Sequence, residues 1–157
     1  MIYDVFLDAN VAVRAAILPL YPDHLIFGLA QYGCIRLVFC AHVLVEIERN
    51  LDRRWDAHHQ GHPPPGPNRF RETFQLLYNL AHHRPDTPQT TQNQDALARR
   101  IIRHLNDVPV LAAAMRDVPG GIVLTNNSSD FTPAVARRSG LRIYTPARFL
   151  TDRVRAI

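Results

Sequence analysis

The stretch "VFLDANVAV", residues 5–13, changes character in its middle. "VFL" reads as the end of a strand buried on both faces, and "ANVAV" as the start of a helix. Asp8 stands at the junction. A carboxylate there is either a helix N-cap, a position that favours Asp, or a ligand at the carboxyl end of a strand, where open α/β sheets keep their sites. The test is whether other strand ends carry acids too.

Outward from this point, "YDVFL" (3–7) is the first strand, and the helix "ANVAVRAAI" is ended by Pro19 and Pro22. "DHLIFGLAQYG" is a second helix, with Asp23 as its cap and Gly33 as its stop. "IRLVF" (35–39) is the second strand. "AHVLVEIERNLDRRW" (41–55) has apolar residues at 43, 44, 47 and 51, which is helical spacing. "HHQGHPPPGPN" (58–68) reads as a rigid, Pro-rich excursion. "RFRETFQLLYNLAHH" (69–83) is a helix, "RPDTPQTTQ" (84–92) a polar loop and "ALARRIIRHL" (96–105) another helix. "DVPVLAAAMRD" (107–117) is helical, with Pro109 tolerated in its first turn. "GIVLT" (121–125) and "LRIYT" (141–145) are further strands, separated by the short helix "TPAVARRSG" and followed by "PARFLTDRV". Four short apolar strands alternating with helices argue for a parallel sheet covered on both faces, an α/β fold.

The totals are those of a globular chain: 157 residues, 46% apolar and 20% charged, read as one domain over 1–157. No apolar run approaches the ~18 residues of a membrane span. "MIYDVFLD" has no basic leader and already reads as a strand, so a cytoplasmic protein is expected. The net charge is +4, and all 18 basic residues are Arg. Arg offers phosphate a planar fork of donors, which favours a nucleic acid partner. Cys34 and Cys40 flank "IRLVF" and would lie roughly 20 Å apart on a strand. Two free thiols are expected, since a disulfide needs Cα atoms within ~7 Å.

Acids recur at the strand ends. Asp8 closes the first strand. Glu46 lies one to two turns into the helix after the second. Asp107 starts the helix before "GIVLT", and Asp130 follows that strand. Each has a plainer role available: Asp8, Asp107 and Asp130 as caps, Glu46 as a solvent-facing helical residue. All four can reach the same carboxyl edge of the sheet. Two carboxylates ~6 Å apart repel by roughly 3 kcal/mol at an effective dielectric near 20. Such a cluster either takes up protons or holds a cation. All-oxygen ligation suits Mg²⁺ or Mn²⁺, which also accept phosphate oxygens. A basic chain with an acidic metal pocket is suited to phosphodiester hydrolysis.

The same residues resemble the PIN-domain ribonucleases, close to the VapC-like toxin components of bacterial toxin–antitoxin pairs. "FLDAN" (6–10) resembles the family's opening strand, with Asp8 as first acid and Asn10 after it. "CAHVLVEIERNL" (40–51) is similar to the motif whose acid is Glu46, and "NDVPVLAAAM" (106–115) to the segment carrying Asp107. "VLTNNSSDF" (123–131) resembles the fourth motif, placing Thr125, Asn127 and Asp130, and "LRIYTPARFL" (141–150) the closing strand and helix. The resemblance implies a Rossmann-like three-layer fold, its central sheet mainly parallel and of four to five strands flanked by helices. It implies a Mg²⁺- or Mn²⁺-dependent endoribonuclease, frequently a homodimer and often paired with an antitoxin protein. Asp8, Glu46, Asp107 and Asp130 would bind metal and carry catalysis. Asn10, Thr125 and Asn127 would orient those carboxylates. His104, Asn126, Ser128 and Ser129 depart from the family pattern, and the Pro-rich stretch 62–68 has no counterpart in it.

Other readings compete less well. A phosphate-receiving domain and a haloacid-type phosphatase both need a Lys that the chain lacks. "DANVAV" has no Gly-rich turn for a dinucleotide. His58, His59 and His62 with His82 and His83 have no zinc-type spacing. Arg49, Arg53, Arg54, Arg99 and Arg100 are candidates for RNA contact or antitoxin docking. The alternative from another class is a catalytically degenerate PIN-like domain that only binds RNA or protein.

Overall fold

The computed structural model describes residues 2–59, 67–83 and 88–154, without the side chains of 82, 83, 88–91 and 154. β1 (Tyr3–Leu7) leads into α1 (Ala9–Ile17) and α2 (Pro22–Gln31), then β2 (Ile35–Phe39) and α3 (Ala41–His58). α4 (Arg69–Tyr78) is followed by a two-residue strand, β3 (His82–His83), and α5 (Pro88–Ile101). A 3-10 turn (Leu105–Asp107) opens α6 (Val108–Asp117). β4 (Ile122–Leu124), α7 (Pro133–Ser139), β5 (Arg142–Tyr144) and α8 (Pro146–Val154) complete the order.

All five strands are parallel, in the order β3-β2-β1-β4-β5. The sheet direction reverses its order of growth at β1, which pairs with β2 on one side (Val5 opposite Leu37) and β4 on the other (Val5 opposite Ile122). Consecutive residues Val5, Phe6 and Leu7, and again Ile122, Val123 and Leu124, are fully buried. Burial of neighbours that point to opposite faces requires cover on both sides, as helix-flanked parallel sheets provide. One helix group joins α1 to α2, α3 and α4, and another joins α5 to α6 and α7, giving a three-layer α/β fold. No described helix is long and apolar enough to cross a membrane. Cys34 is an exposed free thiol and Cys40 a buried one.

Several local expectations are corrected. The helix read over 69–83 stops at Tyr78, and His82 and His83 pair with Val38 and Phe39 as the edge strand. Two residues are too few for a period-2 pattern, so pairing with β2 makes this strand rather than local propensity. The loop read over 84–92 is helical from Pro88, a residue suited to a first helical turn; 84–87 lie outside the described residues. That helix ends at Ile101, not 105. Leu105, counted in its apolar face, is 70% exposed in the 3-10 turn. α3 runs to His58, with the His59 ring against the Trp55 carbonyl at 2.8 Å. Residues 60–66, the centre of the Pro-rich excursion, including His62, lie outside the described residues. Tyr21, not Asp23, is the N-cap of α2; Asp23 lies buried in the first turn.

Candidate functional site

β1 delivers Asp8 to the carboxyl edge of the sheet, where the cap reading of "LDAN" holds for one of its two oxygens. One carboxylate oxygen, Oδ1, accepts from the Ala9 amide at 2.7 Å and caps α1. The other, Oδ2, accepts from the Thr125 hydroxyl at 2.6 Å and from Asn10 Nδ2 at 2.8 Å. The Asp8 amide itself donates to Leu124 at 3.0 Å, tying the end of β1 to the end of β4. Asn10 returns its side-chain oxygen to the Asn126 amide at 2.9 Å. Burial raises the Asp8 carboxyl above its ordinary range, against the pull of Thr125, Ala9, Asn10 and the nearby His42.

Asp107 occupies the N-cap position of α6 but makes no capping hydrogen bond with its side chain. The carboxylate is thereby left for the sheet edge. Asn127 Nδ2 donates to it at 3.4 Å, and Asn127 is held in turn by its amide on Thr125 Oγ1 at 3.0 Å. Partial burial, then the charges of Asp130 and Asp8, push the Asp107 carboxyl up to about 6, while His104 opposes the shift. Asp130 does not cap α7, since Thr132 does so through the Val135 amide. Its Oδ1 lies 3.3 Å from His104 Nε2.

Glu46 reaches this edge from α3. It is solvent-exposed and lines a cleft of about 640 Å³ together with Asp8 and Asp107. Arg49 and Arg53 line the same cleft, as helical spacing from Glu46 requires. Arg54 falls outside it, one residue further round the helix. Arg99 and Arg100 are exposed near the end of α5 and do not line it either. The five arginines are therefore not one surface.

Two features escaped the sequence reading. His42 faces the cleft from the first turn of α3, and its position four residues before Glu46 was the available signal. Asp23, almost wholly buried, accepts from Asn126 Nδ2 at 2.6 Å, with Arg14 Nε 3.8 Å away. Asn126 thus ties the loop after β4 to the start of α2, a link that no local motif announces.

No protein-family model and no curated protein sequence matches the chain. Solved structures do. A chain from the crystal structure of VapBC2 from Rickettsia felis bound to a DNA fragment from their promoter superposes with a TM-score of 0.63 at 14% identity, covering 90% of this chain and 98% of that one. The fold is PIN-like. The crystal structure of PAE2754 from Pyrobaculum aerophilum matches with a TM-score of 0.59 at 12% identity, covering all of both chains.

The PIN-like fold thus brings acids from four distant segments to one edge. Among the described residues, no three His, Cys, Asp or Glu groups stand close enough together to hold a metal ion between them. The donor chemistry nevertheless fits a hydrated Mg²⁺ or Mn²⁺. Mg²⁺ needs only one or two carboxylates and keeps several waters, and the charges of Asp130 and Asp8 act on Asp107 in addition to its burial.

Proposed function

We propose that the chain is a Mg²⁺- or Mn²⁺-dependent endoribonuclease, the toxin of a toxin–antitoxin pair. One observation carries the reading: Asp107 is driven up to about 6 partly by Asp130 and Asp8, beside a cleft that Glu46 and two arginines also line. Clustered acids that raise one another's proton affinity are what a cation site costs a fold.

Of Asp8, Glu46, Asp107 and Asp130, one or two would hold the cation directly and the others through its waters. When bound, it supplies Lewis acidity toward phosphate and makes water a nucleophile near neutral pH. The remaining work falls to side chains. Thr125 and Asn10 fix the Asp8 carboxylate, and Asn127 orients Asp107. Asp107, which lines the cleft with Asp8 and Glu46, would accept the proton of the attacking water. Arg49 and Arg53 hold RNA phosphates at the cleft wall. The resemblance to toxin components, together with the likeness to a chain of VapBC2, supports an antitoxin partner; a homodimer rests on the resemblance alone.

The test is cleavage of RNA by metal-stripped protein with and without added Mg²⁺ or Mn²⁺, alongside Asp8→Asn. Cleavage that needs the cation and is lost in the variant supports the reading. Metal-independent cleavage, or an active Asp8→Asn, overturns it. One contact favours the alternative of a catalytically degenerate binding module: His104 at 3.3 Å from Asp130 supplies, when protonated, the positive charge a cation would bring. Under that reading no cation restores cleavage, and RNA binding persists in EDTA.

A further inference from the structure

Beyond the acidic cleft, a groove of about 480 Å³ runs along the free edge of the sheet at β5. Three arginines border it from three different elements: Arg137 on α7, Arg142 on β5 and Arg148 on α8. None of its described lining residues is acidic. Among the described residues, Arg137 and Arg142 have no carboxylate partner. Arg148 has only a loose solvent-exposed pairing with Asp152 at 3.5 Å, one that a phosphate can displace. Phe131, Ala136 and Ile143 give the groove an apolar floor.

The groove and the candidate site lie on either side of the loop after β4. Thr125, whose hydroxyl holds Asp8, lines the groove; Asn127 lines the acidic cleft, and its neighbour Ser128 lines the groove. A strand crossing the loop after β4 passes from one to the other. We infer that this groove holds the phosphodiester backbone of single-stranded RNA next to the site of cleavage, Arg137, Arg142 and Arg148 gripping successive phosphates above the apolar floor. The inference deepens the nuclease reading and takes RNA as substrate from it. Arginine forks suit phosphate oxygens. An apolar floor beneath a basic rim suits nucleotides, whose bases are flat and whose backbone is charged. An acidic protein segment would use the rim but has no reason to follow the groove into a carboxylate-lined cleft.

The experiment is fluorescence anisotropy of a short labelled single-stranded RNA in EDTA over a salt series, so that binding is read without cleavage. For single strands each neutralised phosphate contributes about 0.7 to the slope of log K against log salt. The variant Arg137→Gln/Arg142→Gln/Arg148→Gln is expected to bind more weakly at low salt and to lose about 2 from that slope. Each single variant is expected to lose about 0.7, which keeps the test sound if the triple variant folds poorly. An unchanged slope in folded variants overturns the groove assignment. So does tighter, arginine-dependent binding of poly-glutamate than of RNA. Arginine-dependent RNA binding by a protein that never cleaves would sink the nuclease reading and leave the groove standing.

Discussion

Thr125 and Asp8, 117 residues apart in the chain, share a 2.6 Å hydrogen bond in which the hydroxyl donates to the carboxylate. The same hydroxyl oxygen accepts from the Asn127 amide at 3.0 Å and from Asn10 at 3.3 Å. One buried oxygen therefore aligns β1, β4 and the loop that carries Asp130.

Thr125→Val keeps the shape and removes the hydroxyl. It strips a donor from a buried carboxylate and an acceptor from an amide, at a cost of about 2 kcal/mol. A chain of this size should lose about 4–8 °C in melting temperature. Thr125→Ser should recover most of the loss. Circular dichroism melts check both; a Val variant within about 1 °C of wild type contradicts this role.

Asp107 gives a pH dependence with a defined sign. Its carboxyl is raised to about 6 in the fold, against 3.8 ordinarily. The folded state therefore binds the proton more tightly than the unfolded state. The group costs stability above pH 6, and that cost fades as the pH falls through 6 toward 4. In EDTA, Asp107→Asn should be more stable than wild type at pH 7.5, and the two should converge near pH 4. Urea titrations across that range measure the gap. A gap that does not close on acidification means that the Asp107 charge is not its source.

Millimolar Mn²⁺ should raise the wild-type melting temperature. A ligand at 100 times its Kd stabilises by about 2.7 kcal/mol, roughly 5–10 °C here. Asp107→Asn and Asp8→Asn should lose most of that gain. If Asp107→Asn keeps the full shift, Asp107 is not a ligand.

Asn126 and Asp23 should be energetically coupled. Asn126→Gly leaves a buried carboxylate short of a donor and should cost about 2 kcal/mol, and Asp23→Ala a similar amount. The double variant should cost less than the sum, by about 1 kcal/mol or more. Additive losses in a double-mutant cycle would show that the 2.6 Å contact contributes nothing.

The sequence makes some of this legible and hides the rest for physical reasons. β1 and β2 have the boundaries read from "YDVFL" and "IRLVF", because strands buried on both faces are written as unbroken apolar runs. The Gly that ends "TPAVARRSG", Gly140, closes α7 with a φ of +73°, a conformation that Gly adopts without penalty. β3 was hidden because it exists only by pairing with β2. The first turns of α5 were hidden behind Thr, Gln and Asn, residues with weak helical preference. At the site, Asp8 and Asp107 were visible as acids at element junctions. The Asp23 to Asn126 contact joins residues about a hundred positions apart and leaves no periodic trace.

The order β3-β2-β1-β4-β5 also has a consequence for synthesis. β1 is made well before β4, one of the two strands that flank it. Until Thr125 and Asp130 have left the ribosome, Asp8 has neither its clamp nor its neighbours. A chain interrupted before that point lacks the buried hydroxyl on which Asp8 is set, so the carboxyl end of β1 takes its final form only after β4 is in place.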